Sequence, residues 1–495
     1  MTNLPPKSIA RRNFLNRAAA LTGIGSVAAS PLAMSLQALA AAAEPGSEYR
    51  AIVCVFLYGG NDSANMVLAT DRASWQSYVD FRSNGPDPIA LQPVGTVPDQ
   101  TAPAASPLAL GGVLAITPRH SLSGLNTSRK FALHPTMSAA ASLFESGRLS
   151  IVANVGALVE PVTRDAFERG TAKLPPKLFS HNDQTSIWQA LGVDKTLGWG
   201  GKLGDGLSNT NSRSSFTSIS TAGNVAFLAG ENVVPYITTP KGAVPISGIQ
   251  GPLFGSSLAA RQLRLITTTT GTGHLMAQDH ASIVKRSIDL QATFQSAFDG
   301  SQLLAPTDYW SPVARSWRSS DLAKQLQTVA RIISMRTLLG QRRQVFFVGI
   351  GGFDTHDNQN RSHGDLLARL SHGLGYFDAA MESLGTRDSV VLFTASDFGR
   401  SFSSNGDGTD HGWGGHHFVM SGETTLRGGE IVGRFPALGI EHAEAVNSGS
   451  LIPAIAIEQL GATIGRWFGC SESNLDSVFP NLRNFGSGRN LGFLN

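Results

Sequence analysis

The sequence predicts an α/β protein, a three-layer α/β/α sandwich, on two observations. Short apolar runs rich in β-branched residues recur along the chain, and amphipathic helical patterns lie between them. A continuous apolar run, unlike an alternating one, marks a strand buried on both faces, and such strands belong to parallel sheets covered by helices.

The first run is 49–58, Tyr-Arg-Ala-Ile-Val-Cys-Val-Phe-Leu-Tyr, which stops at Gly59-Gly60. Residues 82–125 are rich in Pro, Gly, Ser and Thr without periodicity and read as a long surface excursion. A helix is predicted over 133–146 and a strand over 149–155. Residues 205–250 suggest short strands and turns, with strands at 224–228 and 233–237, and 255–345 are mainly helical. We read 205–340 as a mixed insertion between two halves of one sheet, positioned to cover the active site. A strand at 344–350 then leads to a helix at 364–384, whose Leu366, Leu367, Leu370, Leu374, Phe377 and Met381 fall at helical spacing. Strands follow at 389–395 and 417–420. A helix at 451–468 closes the pattern at Gly469. No repeat of 20–50 residues is evident.

Residues 1–43 stand apart from this pattern. Arg11-Arg12 is followed by Phe14-Leu15, an Ala-rich apolar stretch and small residues at 38–43. That is the pattern of a twin-arginine signal peptide, with the twin-arginine translocase as partner and the periplasm or the extracellular space as destination. The domain proper is then 44–495. A membrane anchor is the alternative, but Gly, Ser and Pro interrupt the segment, and no later stretch reaches the ~20 consecutive apolar residues a span needs. Lys7, Arg11, Arg12 and Arg17 lie in this segment with no acid. The remainder therefore carries 35 basic side chains (39 less four) against 36 acidic ones, which gives no sign of a nucleic-acid partner. Of the two cysteines, Cys54 lies within an apolar run and reads as a buried free thiol, although an oxidising destination would permit a bridge to Cys470.

In open α/β sheets, sites form beyond the carboxyl ends of the strands. The polar clusters sit there: Asn61-Asp62 after the first strand, Asp354-Thr355-His356 after 344–350, and Asp397-Phe398-Gly399-Arg400 after 389–395, with Asp410-His411 and His416-His417 further on. Carboxylate oxygens and imidazole nitrogens converging at one edge are what a divalent ion needs. Each cluster also has a plain reading, since Asp62, Asp354 and Asp397 are all suited to caps or Asx-turns. His416 and His417 start a strand, so at most one faces the site. His363 and His372 read as surface histidines.

These motifs, with Leu57-Tyr58-Gly59-Gly60-Asn61-Asp62, Leu133-His134-Pro135 and the closing Gly461-Ala462-Thr463-Ile464-Gly465-Arg466-Trp467-Phe468-Gly469, resemble the exported bacterial family known as domain of unknown function 1501 (DUF1501). The family in turn resembles a remote branch of the alkaline phosphatase and sulfatase superfamily. That resemblance implies an alkaline phosphatase-like sandwich, hydrolysis of a phosphate or sulfate ester, and one or two divalent ions (Zn, Mn, Mg or Ca). The superfamily's ligand order implies Asp62 and Asp397 on one ion and Asp354, His356 and His411 on the other. Two positions depart from it. Phe398 stands where a histidine is common, and the usual interval after Asp354 lands on Asn358 instead of His356.

The superfamily places its nucleophile at a helix N-terminus, where unpaired N–H groups favour an anion. The matching stretch implies attack by Ser180, with His181 protonating the leaving group. Ser180-x-x-Asp183 is also a helix-capping pattern. Arg400 would grip an anionic ester, or pair with a carboxylate. Two functions follow from these residues: an exported metal-dependent ester hydrolase, or a non-catalytic descendant that binds or assembles outside the cytoplasm.

Overall fold

A computed structural model describes residues 48–119, 127–193, 195–249, 251–269 and 274–495. The segment read as a signal peptide lies outside the described residues. Among the described residues ten strands form the main sheet: β1 (Arg50–Tyr58), β2 (Leu149–Gly156), β3 (Ser218–Ser220), β4 (Tyr236–Thr239), β5 (Gly242–Ala243), β6 (Arg343–Gly351), β7 (Val390–Ser396), β8 (Gly415–Met420), β9 (Ile431–Val432) and β10 (Ile455–Ala456). Their order is β9-β2-β8-β7-β1-β6-β3-β4-β5, with β10 also paired to β2. The helices that contribute to the two cores include α1 (Ser138–Glu145), α2 (His181–Ala190), α3 (Trp199–Asp205), α4 (Asp321–Ser334), α5 (Gln359–Ser383) and α6 (Ile457–Phe468).

The alternation of side chains along β1 builds the sandwich. Ala51, Val53, Val55 and Leu57 face a core shared with Leu143 of α1, Leu326 of α4 and Leu370 of α5. Ile52, Cys54 and Phe56 face the opposite core, shared with Trp188 of α2, Leu203 of α3 and Leu460 of α6. Every residue from 51 to 57 is at most 1% exposed, which is why the run has no polar face. The three-layer α/β/α class expected from the sequence is the one formed.

The sheet is mixed. β1 runs parallel to β6 and β7, whereas β7–β8 and β8–β2 are antiparallel. The reason is the connection: β7 reaches β8 through a short hairpin (Arg400–Ser404 with Thr409–His411) and no crossover helix, so the chain returns in the opposite sense.

Other elements also differ from the sequence reading. The helix expected from 133 starts at Ser138, because Pro135 disfavours helix at His134. Phe131–Leu133 is instead a strand between Val67–Ala69 and Leu114–Ile116. That pairing draws part of the 82–125 excursion inward, and Ile89, Leu91, Val113 and Ile116 are buried. The helix expected from 451 starts at Ile457, since Pro453 interrupts it and Ile455–Ala456 joins β2. Residues 224–228 form a 3-10 turn (Ala226–Leu228), with Phe227 packed against Trp199, Phe347 and Phe393. Cys54 and Cys470 are both buried and unbridged. Among the described residues no helix is long and apolar enough to cross a membrane.

Candidate metal centre

β1, β6 and β7 end flush, with Tyr58 opposite Gly351 and Leu57 opposite Ser396. The loops leaving them therefore meet at one edge. Gly59 allows a close approach: at its φ of +113° a Cβ would lie 2.4 Å from the Asp354 nitrogen. Its N–H donates to Asp397 Oδ2 at 3.1 Å, and its carbonyl accepts from Arg400 Nη1 at 3.1 Å.

Four ligand atoms converge there, from His181, Asp354, His356 and His411, all within 4.8 Å of one another. His356 Nε2 lies 2.8 Å from His411 Nε2. Asp354 Oδ1 lies 3.2 Å from His356 Nε2, 3.4 Å from His181 Nε2 and 3.8 Å from His411 Nε2. Four ligands bound tetrahedrally to one ion at 2.0–2.1 Å stand about 3.3–3.4 Å apart, so these separations bracket a metal polyhedron. His181 Nε2 is buried and makes no hydrogen bond.

The other ring nitrogen of each imidazole is held by an oxygen. His181 Nδ1 lies 2.8 Å from Asp397 Oδ2, His411 Nδ1 lies 2.6 Å from the Phe179 carbonyl, and His356 Nδ1 lies 3.4 Å from Asp410 Oδ1. An N–H donated outward leaves the Nε2 lone pair free toward the centre, which is how metal-binding histidines are oriented. Phe179 adopts a left-handed φ of +70°, a costly conformation that goes with the hydrogen bond its carbonyl accepts from His411.

The charges are set to match. Burial, then the neighbouring His181, Arg400 and His356, push His411 below its ordinary value against the opposing pull of the Phe179 carbonyl. Burial works to raise Asp354, but the hydrogen bond and charge of Arg400, then His181 and His356, hold it below the usual carboxylate range. Burial pushes Asp397 up, against the hydrogen bond from His181. The Phe398 ring lies against His181 and His411, at 4.8 and 4.7 Å between centroids, an apolar wall where a further ligand was common in the resembled superfamily.

The chain matches the family described as Protein of unknown function (DUF1501) over residues 49–469. It belongs to the DUF1501 family. No curated protein matches it in sequence. Among solved structures, Ps i-CgsB in complex with k-i-k-neocarrahexaose is 8% identical at a TM-score of 0.34, covering 90% of this chain and 78% of that one. A Bacteroides thetaiotaomicron protein of glycosaminoglycan metabolism is 10% identical at 0.33, covering 87% and 74%. The lipoteichoic acid synthase LtaP from Listeria monocytogenes is 9% identical at 0.27, covering 86% and 73%. None is close enough to transfer chemistry, which has to be read from the site.

In this DUF1501 chain, Asp354, His356 and His411 lie together as one ligand group, and His181, read from sequence as a proton donor, joins them. Asn358, the alternative to His356, stands at the head of α5 with its N–H on Asp407 Oδ2. Asp62 lies outside the group. Both of its oxygens bind Arg82, and Oδ2 also accepts from Gln359 at 2.6 Å. Asp397 supports His181 from behind. Among the described residues the structure thus gathers one group, where the resemblance implied one or two ions. Arg400 is buried and committed to Asp354 Oδ1 at 2.8 Å and to the carbonyls of Gly59 and Thr409. The Ser180 hydroxyl donates to Asp183 Oδ2 at 2.6 Å and makes no backbone cap.

The other histidines singled out in the sequence lie outside this group. His363 is not on the surface: it lies on the inner face of α5, 2% exposed, with Nε2 2.9 Å from Asn61 Oδ1, and burial pushes it down to about 4. His372 is half-buried beside Thr307. His416 accepts the Asn154 N–H and stacks on Phe435, and His417 packs edge-on to Trp188. Sequence reasoning missed Arg82, a buried arginine no local pattern announces. It also missed Asp410 as a partner of His356, although its place beside His411 was a signal.

Proposed function

We propose that the protein is an exported, metal-dependent hydrolase of a phosphate or sulfate ester. The observation that carries this reading is the set of three imidazoles whose Nδ1 atoms are held by oxygens and whose Nε2 atoms surround Asp354 Oδ1 at the carboxyl edge of the sheet. The ester class rests on the order of motifs along the chain, which resembles that of the alkaline phosphatase and sulfatase superfamily. Export rests on the Arg11-Arg12 segment. Three nitrogens and one oxygen suit Zn or Mn better than Ca or Mg. An ion held there would supply Lewis acidity toward an ester oxygen. The chain's own part is to fix the ligands through Asp397, Asp410 and the Phe179 carbonyl, to neutralise Asp354 with Arg400, and to close one side with Phe398. Asp354 and His356, 48% and 43% exposed at the side chain, leave the other side open to an incoming ester.

A second reading, a non-catalytic binding or assembly protein, is favoured by specific contacts. The Ser180 hydroxyl is taken by Asp183 and the Arg400 guanidinium by Asp354 and backbone carbonyls, so neither is free for substrate. Four protein ligands also fill a tetrahedral zinc, whereas catalytic zinc keeps a position open. An ion that accepts five or six ligands keeps one.

The test is metal analysis of the purified protein, followed by assay with p-nitrophenyl phosphate, bis(p-nitrophenyl) phosphate and p-nitrophenyl sulfate. Turnover that needs the bound metal and is lost in His411→Ala supports the hydrolase. Stoichiometric metal without turnover on any of the three, with Ser180→Ala unchanged, supports the binding protein.

A further inference from the structure

A hairpin of Tyr309–Ser311 and Ser316–Arg318, none of whose residues belongs to the metal centre, displays two tryptophans. Trp310 and Trp317 are cross-strand partners, 5.6 Å apart edge to face, and are 48% and 65% exposed. A two-stranded hairpin alone is marginal, and this one is tied down on its other face. Tyr309 Oη donates to the Asp365 carboxylate at 3.1 Å and accepts from Arg369 Nε at 2.9 Å. Ser311 Oγ donates to Asp365 Oδ1 at 2.5 Å. Its turn is pinned too, by Arg315, whose guanidinium donates to the carbonyls of Gln100 and Ala102. The tryptophans thus stand on a fixed platform with about half or more of each residue left in solvent.

Both rings line a groove of about 620 Å³, a size typical of small-molecule sites. The rest of its lining alternates apolar and hydrogen-bonding side chains. Pro98, Pro135 and Pro312 supply walls without N–H groups, and Gln100, Thr307 and Asp308 supply polar edges. Its charges are balanced, with the Asp308 carboxylate offset by Arg315, so no excess selects an ion. None of the residues lining the groove belongs to the metal group, and His372, one of them, stands 13 residues along α5 from Gln359, about 20 Å of helix at 1.5 Å per residue.

We propose that this groove binds a neutral oligosaccharide. A pyranose has apolar C–H faces that stack on indole rings and hydroxyl edges that need donors and acceptors, and the groove offers both without net charge. A peptide would bring a row of main-chain N–H and C=O groups, for which the proline walls offer few partners. The site is separate from the metal centre and does not depend on its chemistry.

Cellohexaose, chitohexaose and mannohexaose titrated into the full chain, read by calorimetry and tryptophan emission, test this. At least one of them binds saturably, and the double variant Trp310→Ala, Trp317→Ala weakens that binding tenfold or more with an unchanged thermal midpoint. The exposed rings make both single variants available should the double one fold poorly. Binding by none of the three, equal binding by the variants, or binding of a polyproline decapeptide in their place would overturn the assignment.

Discussion

Arg82 and Asp62 meet where water has no access: the two side chains are 0% and 1% exposed, with Nη1 2.5 Å from Oδ2 and Nη2 3.0 Å from Oδ1. Asn65 and the Ser401 carbonyl take further guanidinium protons. Burial works to raise Asp62, but the charge and hydrogen bonds of Arg82 outweigh it and hold the carboxyl below its ordinary range. A depressed carboxyl stabilises the fold above its unfolded value and loses that contribution as the pH falls through the folded one. Removing one partner strands a buried charge, so Arg82→Met should cost about 3–5 kcal/mol in urea unfolding. Asp62→Asn should lose stability as well, yet the folded fraction should retain its metal content. A loss of metal in a still-folded Asp62→Asn protein would make Asp62 a ligand after all.

Asp397 tests the support of the site without touching a ligand atom. Asp397→Asn keeps the shape but replaces the acceptor for His181 Nδ1–H, and the amide can present its NH₂ there instead. Loss of such a partner typically costs 10–100-fold in metal affinity. Competition with a chromophoric chelator measures the change, and affinity equal to that of the parent would show that the Asp397 carboxylate does not set the metal affinity.

His181 and His411 should bind metal as members of one group. A ligand that binds only the folded state stabilises it by about 2.7 kcal/mol at a hundred times its dissociation constant. Added Zn²⁺ or Mn²⁺ should therefore raise the denaturation midpoint of the parent protein, and a chelator should reverse it. His181→Ala and His411→Ala should each abolish most of that rise. A rise that survives both substitutions would place the ion elsewhere.

The sequence made the edge of the sheet legible but not the partnerships behind it. Asp354 and His356 were readable because they follow a strand-like run, and parallel strands deliver their carboxyl ends to one place; His411, on the hairpin after β7, came only from the ligand order that the resemblance implied. Asp62 follows such a run as well. Its fate was decided by Arg82, 20 residues away in a segment whose Pro and Gly content argued for surface, and a long-range ion pair leaves no periodic trace. His181 was seen but given another role, because whether Nε2 or Nδ1 faces the centre depends on Asp397, a contact across 216 residues. His363 was misread because one polar residue on a helix gives no sign of its face until Leu366, Leu367 and Leu370 are known to be buried.

Glu458, in the first turn of α6, gives a pH dependence remote from the metal. Its carboxylate is 3% exposed and accepts from the Asn481 N–H and Nδ2, each at 2.8 Å. Burial pushes it up to about 7, against those hydrogen bonds. The folded protein therefore holds a proton that the unfolded chain has released above about 4.5. Between those values the folded state binds more protons, so stability falls as the pH rises through the window, and the full cost is present at pH 8. Glu458→Gln keeps a neutral side chain at every pH. It should be more stable than the parent at pH 8 by about 1–3 kcal/mol, with the difference vanishing by pH 4. Denaturant midpoints at the two pH values check this: an advantage of equal size at both would come from packing, and the raised carboxyl would then not be its cause.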